Sequence, residues 1–134
     1  MTSLLQLPIR LEQRRRSIGM SKKVLATRAG ISLPTVNRIL SGKEKRLAIT
    51  NIEAIARALS VVIQLGATIG FEEIESGHEL RKKQAALKAM RIVKMVQGTM
   101  ALEAQAVEPS RLQEMIEQTT CELLAGSPHK LWKD

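Results

Sequence analysis

The sequence predicts a mainly α-helical fold, because short amphipathic segments follow one another between Pro8 and Leu59 with a turn residue after each. Gly19 and Gly30 end the first two segments, since glycine readily adopts the left-handed conformation of a helix end. Only residues 61–68 depart from this pattern. We therefore expect a compact bundle of four helices within the first 60 residues.

The start of each predicted helix carries a suitable residue. Pro8 fits the first turn of helix one, where a missing N–H is harmless. Ser21 and Ser32 are suited to cap helices two and three through their hydroxyls. Thr50 and Glu53 have the spacing of a capping box, which predicts that helix four begins just after Thr50.

Residues 61–68, VVIQLGAT, are short and rich in β-branched side chains, and they predict a β-strand. The rest of the sequence offers no obvious strand partner, and an isolated strand leaves its backbone hydrogen bonds unmade. We therefore expect the strand to pair with its copy in a second chain and so to be a dimerising strand. A fifth short helix or irregular packing is the alternative.

The second half of the chain predicts a helical extension. A basic helix over 77–96 carries apolar side chains on more than one stripe, which suggests burial on two sides. A short helix near 100–106 and an acidic helix opened by Pro109 follow. The opposite charges predict that the basic and acidic helices pair, either as a hairpin or across a dimer.

Three regions result from this reading. Residues 1–60 form a helical domain, and residues 61–76 form a strand and linker. Residues 77–134 form a C-terminal helical region for dimerisation or partner binding. The apolar stripes must hold that region together, because surface charge pairs contribute little.

Positive charge is concentrated at the start of the chain. The net charge is +8, and residues 1–49 hold eleven lysines and arginines against two glutamates. Such asymmetry predicts a polyanionic partner. A basic face that only aids solubility is the alternative.

The sequence offers no catalytic, cofactor or metal site. Cys121 is the only cysteine and the two histidines are isolated, so a zinc site is not expected. The single cysteine favours a reducing compartment. No apolar run approaches the ~18 residues that span a bilayer, and the N-terminus lacks a secretory signal pattern. We therefore expect a cytoplasmic protein that does not bind membranes and is not an enzyme.

The most informative segment is Lys22–Ser41. Ala26 is small where two helices approach closely, and Gly30 makes the turn between them. Four apolar residues attach the pair to the bundle, namely Leu25, Ile31, Val36 and Ile39. This spacing resembles the helix-turn-helix of the Cro/repressor (Xre-type) DNA-binding family over about residues 8–60. The resemblance implies a lambda-repressor-like helical bundle; an ordinary helical hairpin is the alternative.

The resemblance also implies which residues meet DNA bases, because the recognition helix of that family begins just after the turn. The implied base-contacting residues are Ser32, Leu33, Pro34, Thr35, Asn37 and Arg38. Arg38 can donate two hydrogen bonds to guanine and Asn37 can bind adenine, whereas Leu33 and Pro34 suit thymine methyls. For Arg38, a phosphate contact is the alternative.

By the same resemblance, a set of basic residues implies phosphate contacts, namely Arg15, Lys22, Lys43, Lys45 and Arg46. The family often pairs an arginine of helix one with a glutamate late in helix three. Here Arg15 occupies the first place but Leu40 the second. Arg15 therefore either contacts phosphate directly or is solvated.

Taken together, these features predict a dimeric transcriptional repressor of a palindromic DNA operator. The segment ARALSVVIQL is similar to antitoxins of the HipB type, which implies an autoregulating antitoxin whose C-terminal region binds a toxin. Trp132 is the candidate anchor for that partner, or it completes the helical core. A phage- or plasmid-type repressor without a toxin, and a basic protein-interaction module, are the alternatives.

Overall fold

The computed structural model describes residues 6–44, 46–64, 69–102 and 108–133. It divides into two compact units, the first ending at Gly77 and the second beginning at His78. The described part of the first unit contains α1 (Leu7–Ile18), α2 (Lys22–Ala29), α3 (Leu33–Leu40), α4 (Ile49–Ala58), β1 (Val61–Gln64) and β2 (Gly70–Glu73). From the unit boundary onward follow α5 (Gly77–Leu102), α6 (Pro109–Ala125) and α7 (Pro128–Trp132). The prediction of a mainly α-helical fold is confirmed.

The helix ends around α2 follow from local chemistry. The Ser21 hydroxyl accepts a hydrogen bond from the Val24 N–H at 3.2 Å, and Ser32 accepts one from Thr35 at 3.4 Å. Gly30 has a φ of +71° and ends α2, a conformation that costs other residues a clash at Cβ. These caps confirm the predicted starts of α2 and α3.

The predicted capping box at the start of α4 is wrong. The helix begins at Ile49 with Ala48 as its N-cap, and no side chain completes the cap. Thr50 is therefore already the second helical residue, where its hydroxyl is past the position that accepts from the first free N–H groups.

The core of the first unit lies where α2 packs on α3 and α4, with α1 against α3 and α4 against β1. Its largest fully buried side chains are Leu7, Leu11, Ile18, Met20, Leu25, Val36, Ile39, Ile55 and Leu59. Each of these helices thus contributes at least one large apolar side chain, which is what a stable small bundle requires.

The strand after α4 finds its partner within the chain, so the expectation that it lacks a strand partner there is wrong, whereas its role in dimerisation stays a prediction. β1 pairs antiparallel with β2, with Val61 opposite Glu73 and Ile63 opposite Phe71. The segment predicted as an acidic linker is therefore a strand. Three residues of its sequence, GFEE, are of types depleted in strands, the glycine and the two glutamates, and tertiary pairing overrides that preference. Residues 65–68 lie outside the described residues.

A buried arginine fastens this hairpin to the helical bundle. Arg14 on α1 is 3% exposed. Its Nε donates to the Leu59 carbonyl at 3.0 Å and its Nη2 to the Glu75 carbonyl at 2.7 Å, while Nη1 lies 3.3 Å from a carboxylate oxygen of Glu73. Each of the three guanidinium nitrogens therefore has an acceptor or a carboxylate beside it, which allows the charged group to be buried.

Among the described residues, the second unit buries fewer large apolar side chains than the first. The buried stripe of α5 consists of Gln84, Ala85, Ala89 and Val93. Leu87 and Met90 are 58% and 41% exposed, so the predicted burial of α5 on two sides is not found within the chain. α6 buries no residue, and its predicted inner stripe is half-buried, comprising Leu112, Met115, Ile116, Thr119 and Leu123.

The C-terminal segment forms α7, a helix that the sequence reading did not predict. The Ser127 hydroxyl caps it by accepting from the His129 N–H at 3.3 Å. Gln84 donates to the Leu131 carbonyl at 3.1 Å, which ties α7 to α5. Trp132 is 2% exposed, so the expectation of an exposed partner-binding anchor is wrong. The burial supports the other interpretation, in which the indole belongs to the core.

Candidate nucleic-acid interface

Helix α3 separates a buried face from an exposed one. Val36, Ile39 and Leu40 are buried, which fixes the orientation of the helix on the bundle. The opposite face carries the residues predicted to contact bases. Of these, Ser32, Leu33, Pro34, Asn37 and Arg38 are exposed and Thr35 is half-buried. The structure therefore brings the predicted base-contacting set together at one end of the unit's surface.

The polar members of this face form a connected chain. The hydroxyls of Ser32 and Thr35 lie 2.7 Å apart. Arg38 donates through Nη2 to the Thr35 hydroxyl at 3.4 Å, and its Nε lies 4.0 Å from the Glu44 carboxylate. The exposed guanidinium is thus linked to α3 at one nitrogen and to the following loop at another.

The loop after α3 adds positive charge beside this chain. An open cavity of about 280 Å³ is lined by Arg38, Lys43, Glu44 and Arg46. Lys43 and Arg46 are exposed, as is Lys22 at the start of α2. Lys45 lies outside the described residues. Exposed lysine and arginine side chains on one surface can bind phosphates without reading sequence.

A comparison with known protein families finds a match to this part of the chain. Residues 11–62 match the family model described as "Helix-turn-helix". This segment is similar to the helix-turn-helix domains of the Cro/repressor (Xre-type) family. The match spans less than half of the chain and ends at β1, before α5–α7. No curated protein and no solved structure matches the chain. That family is one of DNA-binding transcription regulators, and the match supports a DNA-binding role for this segment.

One predicted phosphate contact of the helix-turn-helix domain has a different environment. Arg15 was expected on phosphate or in solvent. Instead its Nε and Nη2 donate to both Glu12 carboxylate oxygens, at 2.8 and 2.5 Å, and Nη1 donates to the Met20 carbonyl at 2.8 Å. The solvated alternative is therefore wrong. A phosphate contact stays a prediction, and it requires this arrangement to open.

Glu12 is the centre of that arrangement. Arg16 also donates to it at 3.0 Å. The hydrogen bonds from Arg15 hold the pKa of Glu12 below its ordinary value, and the charge of Lys22 adds to the effect, although partial burial opposes it. The three-residue spacing of Glu12 and Arg15 is the sequence feature that would have found this pair.

The family's usual glutamate position in α3 is occupied here by Leu40, which is 6% exposed. Its side chain belongs to the core of the helix-turn-helix domain. Arg15, the arginine of helix one, instead donates to Glu12 of its own helix and to the Met20 carbonyl. The domain therefore departs from the family pattern, and this arginine still has hydrogen-bond acceptors.

In the part of the chain that the structure describes, none of the helices combines the length and the apolar composition of a membrane span. In the same residues, no three histidine, cysteine, aspartate or glutamate side chains are grouped so as to hold a metal ion.

Proposed function

We propose that this protein is a sequence-specific repressor that binds a palindromic double-stranded operator as a homodimer. The observation that carries the proposal is the exposed polar face of α3 beside the basic loop, within a domain of a DNA-binding family. An α-helix fits the major groove, where each base pair presents a distinct pattern of donors and acceptors.

Base reading is assigned to the exposed residues of α3. Arg38 is suited to a guanine and Asn37 to an adenine, through paired hydrogen bonds. Leu33 and Pro34 are suited to thymine methyl groups. Ser32 and Thr35, at the start of the helix, complete the set of residues that meet base edges.

Phosphate binding is assigned to basic residues on either side of this helix, namely Lys22, Lys43, Lys45 and Arg46. Arg15 is left out of this set because its guanidinium is bonded to Glu12 and Met20. Such contacts supply affinity that weakens with salt, whereas the α3 side chains supply choice among sequences.

Dimerisation is assigned to the second unit. One helix-turn-helix reads only a few base pairs, and paired half-sites lie about 34 Å apart. In the second unit, α6 buries no residue and α5 exposes Leu87 and Met90. The basic composition of α5 and the acidic composition of α6 also suit pairing between two copies.

The antitoxin hypothesis rested on the similarity of the β1 segment to HipB-type antitoxins, on the additional C-terminal helices and on an exposed Trp132. Because β1 already pairs with β2 and Trp132 is buried, an unpaired strand and an exposed anchor no longer support it. Repression by a dimer is therefore the function we propose, and it applies equally to a phage- or plasmid-type repressor. A toxin gene transcribed together with this one would add the antitoxin role without changing the DNA-binding assignment.

The proposal is tested by selecting preferred sites from a random duplex library and then measuring affinities for selected and random DNA. Arg38→Ala should lose about 1–3 kcal/mol of discrimination at one base pair of each half-site. Lys43→Ala should weaken all sequences alike and reduce the salt slope by about one.

Arg57→Ala, an exposed arginine of α4 outside the proposed face, is the control for loss of one charge. Full discrimination in Arg38→Ala would show that this side chain does not read bases. A wild-type protein that binds selected and random duplexes equally would instead favour the basic protein-interaction module.

A further inference from the structure

We propose that Glu44 is a positioning residue for sequence reading, which holds the Arg38 guanidinium with its end-on pair of N–H groups directed at guanine. The inference rests on the proposed function, since it assigns a partner to a side chain that reads bases. An acidic residue on a face proposed to bind a polyanion would then contribute to sequence specificity.

Glu44 is an acidic residue in a strongly basic part of the chain. Residues 1–49 contain only two acidic residues, and the other, Glu12, is bonded to Arg15 and Arg16 on α1. Glu44 stands in the basic loop and lines the same open cavity as Arg38. A carboxylate there repels phosphates, so its presence opposes general DNA affinity.

Two side chains contact the Arg38 guanidinium. Glu44 faces Nε at 4.0 Å, which is an ion pair rather than a hydrogen bond, and Thr35 accepts from Nη2 at 3.4 Å. A guanidinium carries five N–H groups in a fixed plane. With these two contacts made, Nη1 and the second N–H of Nη2 remain, and together they match guanine O6 and N7.

These contacts also restrict the motion of the Arg38 side chain. The Arg38 side chain is 64% exposed, so without partners its long chain would sample many rotamers. Thr35 is itself bonded to Ser32 at the helix start. The contacts from α3 and from the loop therefore order the Arg38 side chain before DNA binds, which lowers the conformational entropy that guanine recognition costs.

The experiment compares wild type with Glu44→Gln, which keeps the shape of the side chain and removes its charge. Glu72→Gln on β2 removes the same charge from an exposed site away from α3 and its loop. For each protein, affinity is measured for the selected site, for that site with the Arg38 base pair changed, and for random duplex.

We expect Glu44→Gln to lose about two- to fivefold discrimination at that base pair, the range typical of one exposed ion pair. Affinity for random duplex should stay equal or rise, because a repelling charge is removed. Glu72→Gln should retain wild-type discrimination. In an Arg38→Ala background, Glu44→Gln should no longer change discrimination, since it acts through Arg38.

Three results would overturn the positioning role while leaving the repressor function intact. These results are unchanged affinities in Glu44→Gln, an equal rise in its affinities for selected and random duplex, and a loss of discrimination that persists in the Arg38→Ala background. If the wild-type protein has no sequence preference, both the repressor function and the role of Glu44 fail. Circular dichroism of each variant establishes that the fold is retained.

Discussion

The two units of this protein differ in the apolar side chains that they bury. Among the described residues, the large apolar side chains below 2% exposure all lie between Leu7 and Leu59 in the first unit, whereas the second unit buries two large ones, Leu131 and Trp132 of α7, at 2% exposure each. In the second unit, α6 buries none of its residues, and the buried apolar stripe of α5 consists of Ala85, Ala89 and Val93. Small buried side chains contribute less hydrophobic stabilisation than leucine or isoleucine.

This difference suggests a division of labour. A rigid core keeps the exposed side chains of α3 in a fixed arrangement, which reading of DNA bases requires. The partly covered helices of the second unit retain apolar surface for association with another copy. The three predictions below test this contrast, beginning with the largest expected effect.

The most direct test truncates one apolar side chain in each unit. Ile55→Ala, at a site with 0% exposure, should reduce the free energy of unfolding by about 2–5 kcal/mol. Leu123→Ala, at a half-buried site of α6, should cost less than about 1 kcal/mol in the monomer. Urea unfolding followed by circular dichroism gives both values, and Trp132 fluorescence follows the second unit separately.

Equal costs for the two variants would remove the contrast between the units. A cost of Leu123→Ala that grows with protein concentration would sharpen it, because a dimer that covers α6 adds burial only when it forms.

The second test concerns the anchor of the hairpin in the first unit. Arg14→Met keeps an unbranched apolar side chain but leaves the Leu59 and Glu75 carbonyls without their donor, at an expected cost of about 2–3 kcal/mol. Arg16→Met is the control, because the Arg16 side chain is 75% exposed, and its effect should stay within about 0.5 kcal/mol. Similar unfolding midpoints for the two variants would contradict the anchoring role.

The smallest effect is a pH dependence in α1. The pKa of Glu12 is lowered in the folded protein, so its stabilisation is complete above the ordinary value of 4.5 and is lost as the pH falls through the lower folded value. Glu12→Gln should remove this acid-dependent part, which we expect to be below about 1 kcal/mol. Unfolding by urea between pH 7 and pH 3 measures it, with Glu53→Gln as the matched loss of one charge. An unchanged acid profile in Glu12→Gln would exclude the Glu12 cluster as its source.

Sequence reasoning succeeded where structure depends on neighbouring residues. The Ser21 and Ser32 caps and the Gly30 turn are local, because each side chain or backbone conformation acts within one helical turn. The inward and outward faces of α3 follow from helical periodicity alone. This is why the face proposed to contact bases could be named before its structure was known.

It failed where distant segments decide the outcome. In Gly70–Glu73 only Phe71 is of a type that favours a strand, and the pairing with β1 provides the reason for the strand. The burial of Trp132 likewise depends on α7, which a hydrogen bond from Gln84, 47 residues before Leu131, ties to α5. The partners of Arg14 lie 45 and 61 residues away in the chain, beyond the range of any local pattern.

Arg14 also has a consequence for how this fold can change by mutation. Its two hydrogen-bond acceptors are main-chain carbonyls, of Leu59 and Glu75, which every amino acid possesses. Substitutions at those two positions therefore leave the acceptors in place, whereas a substitution of Arg14 removes both bonds at once. Among related sequences, we expect residues 59 and 75 to drift independently of residue 14, so that covariation would not reveal the contact that holds the hairpin.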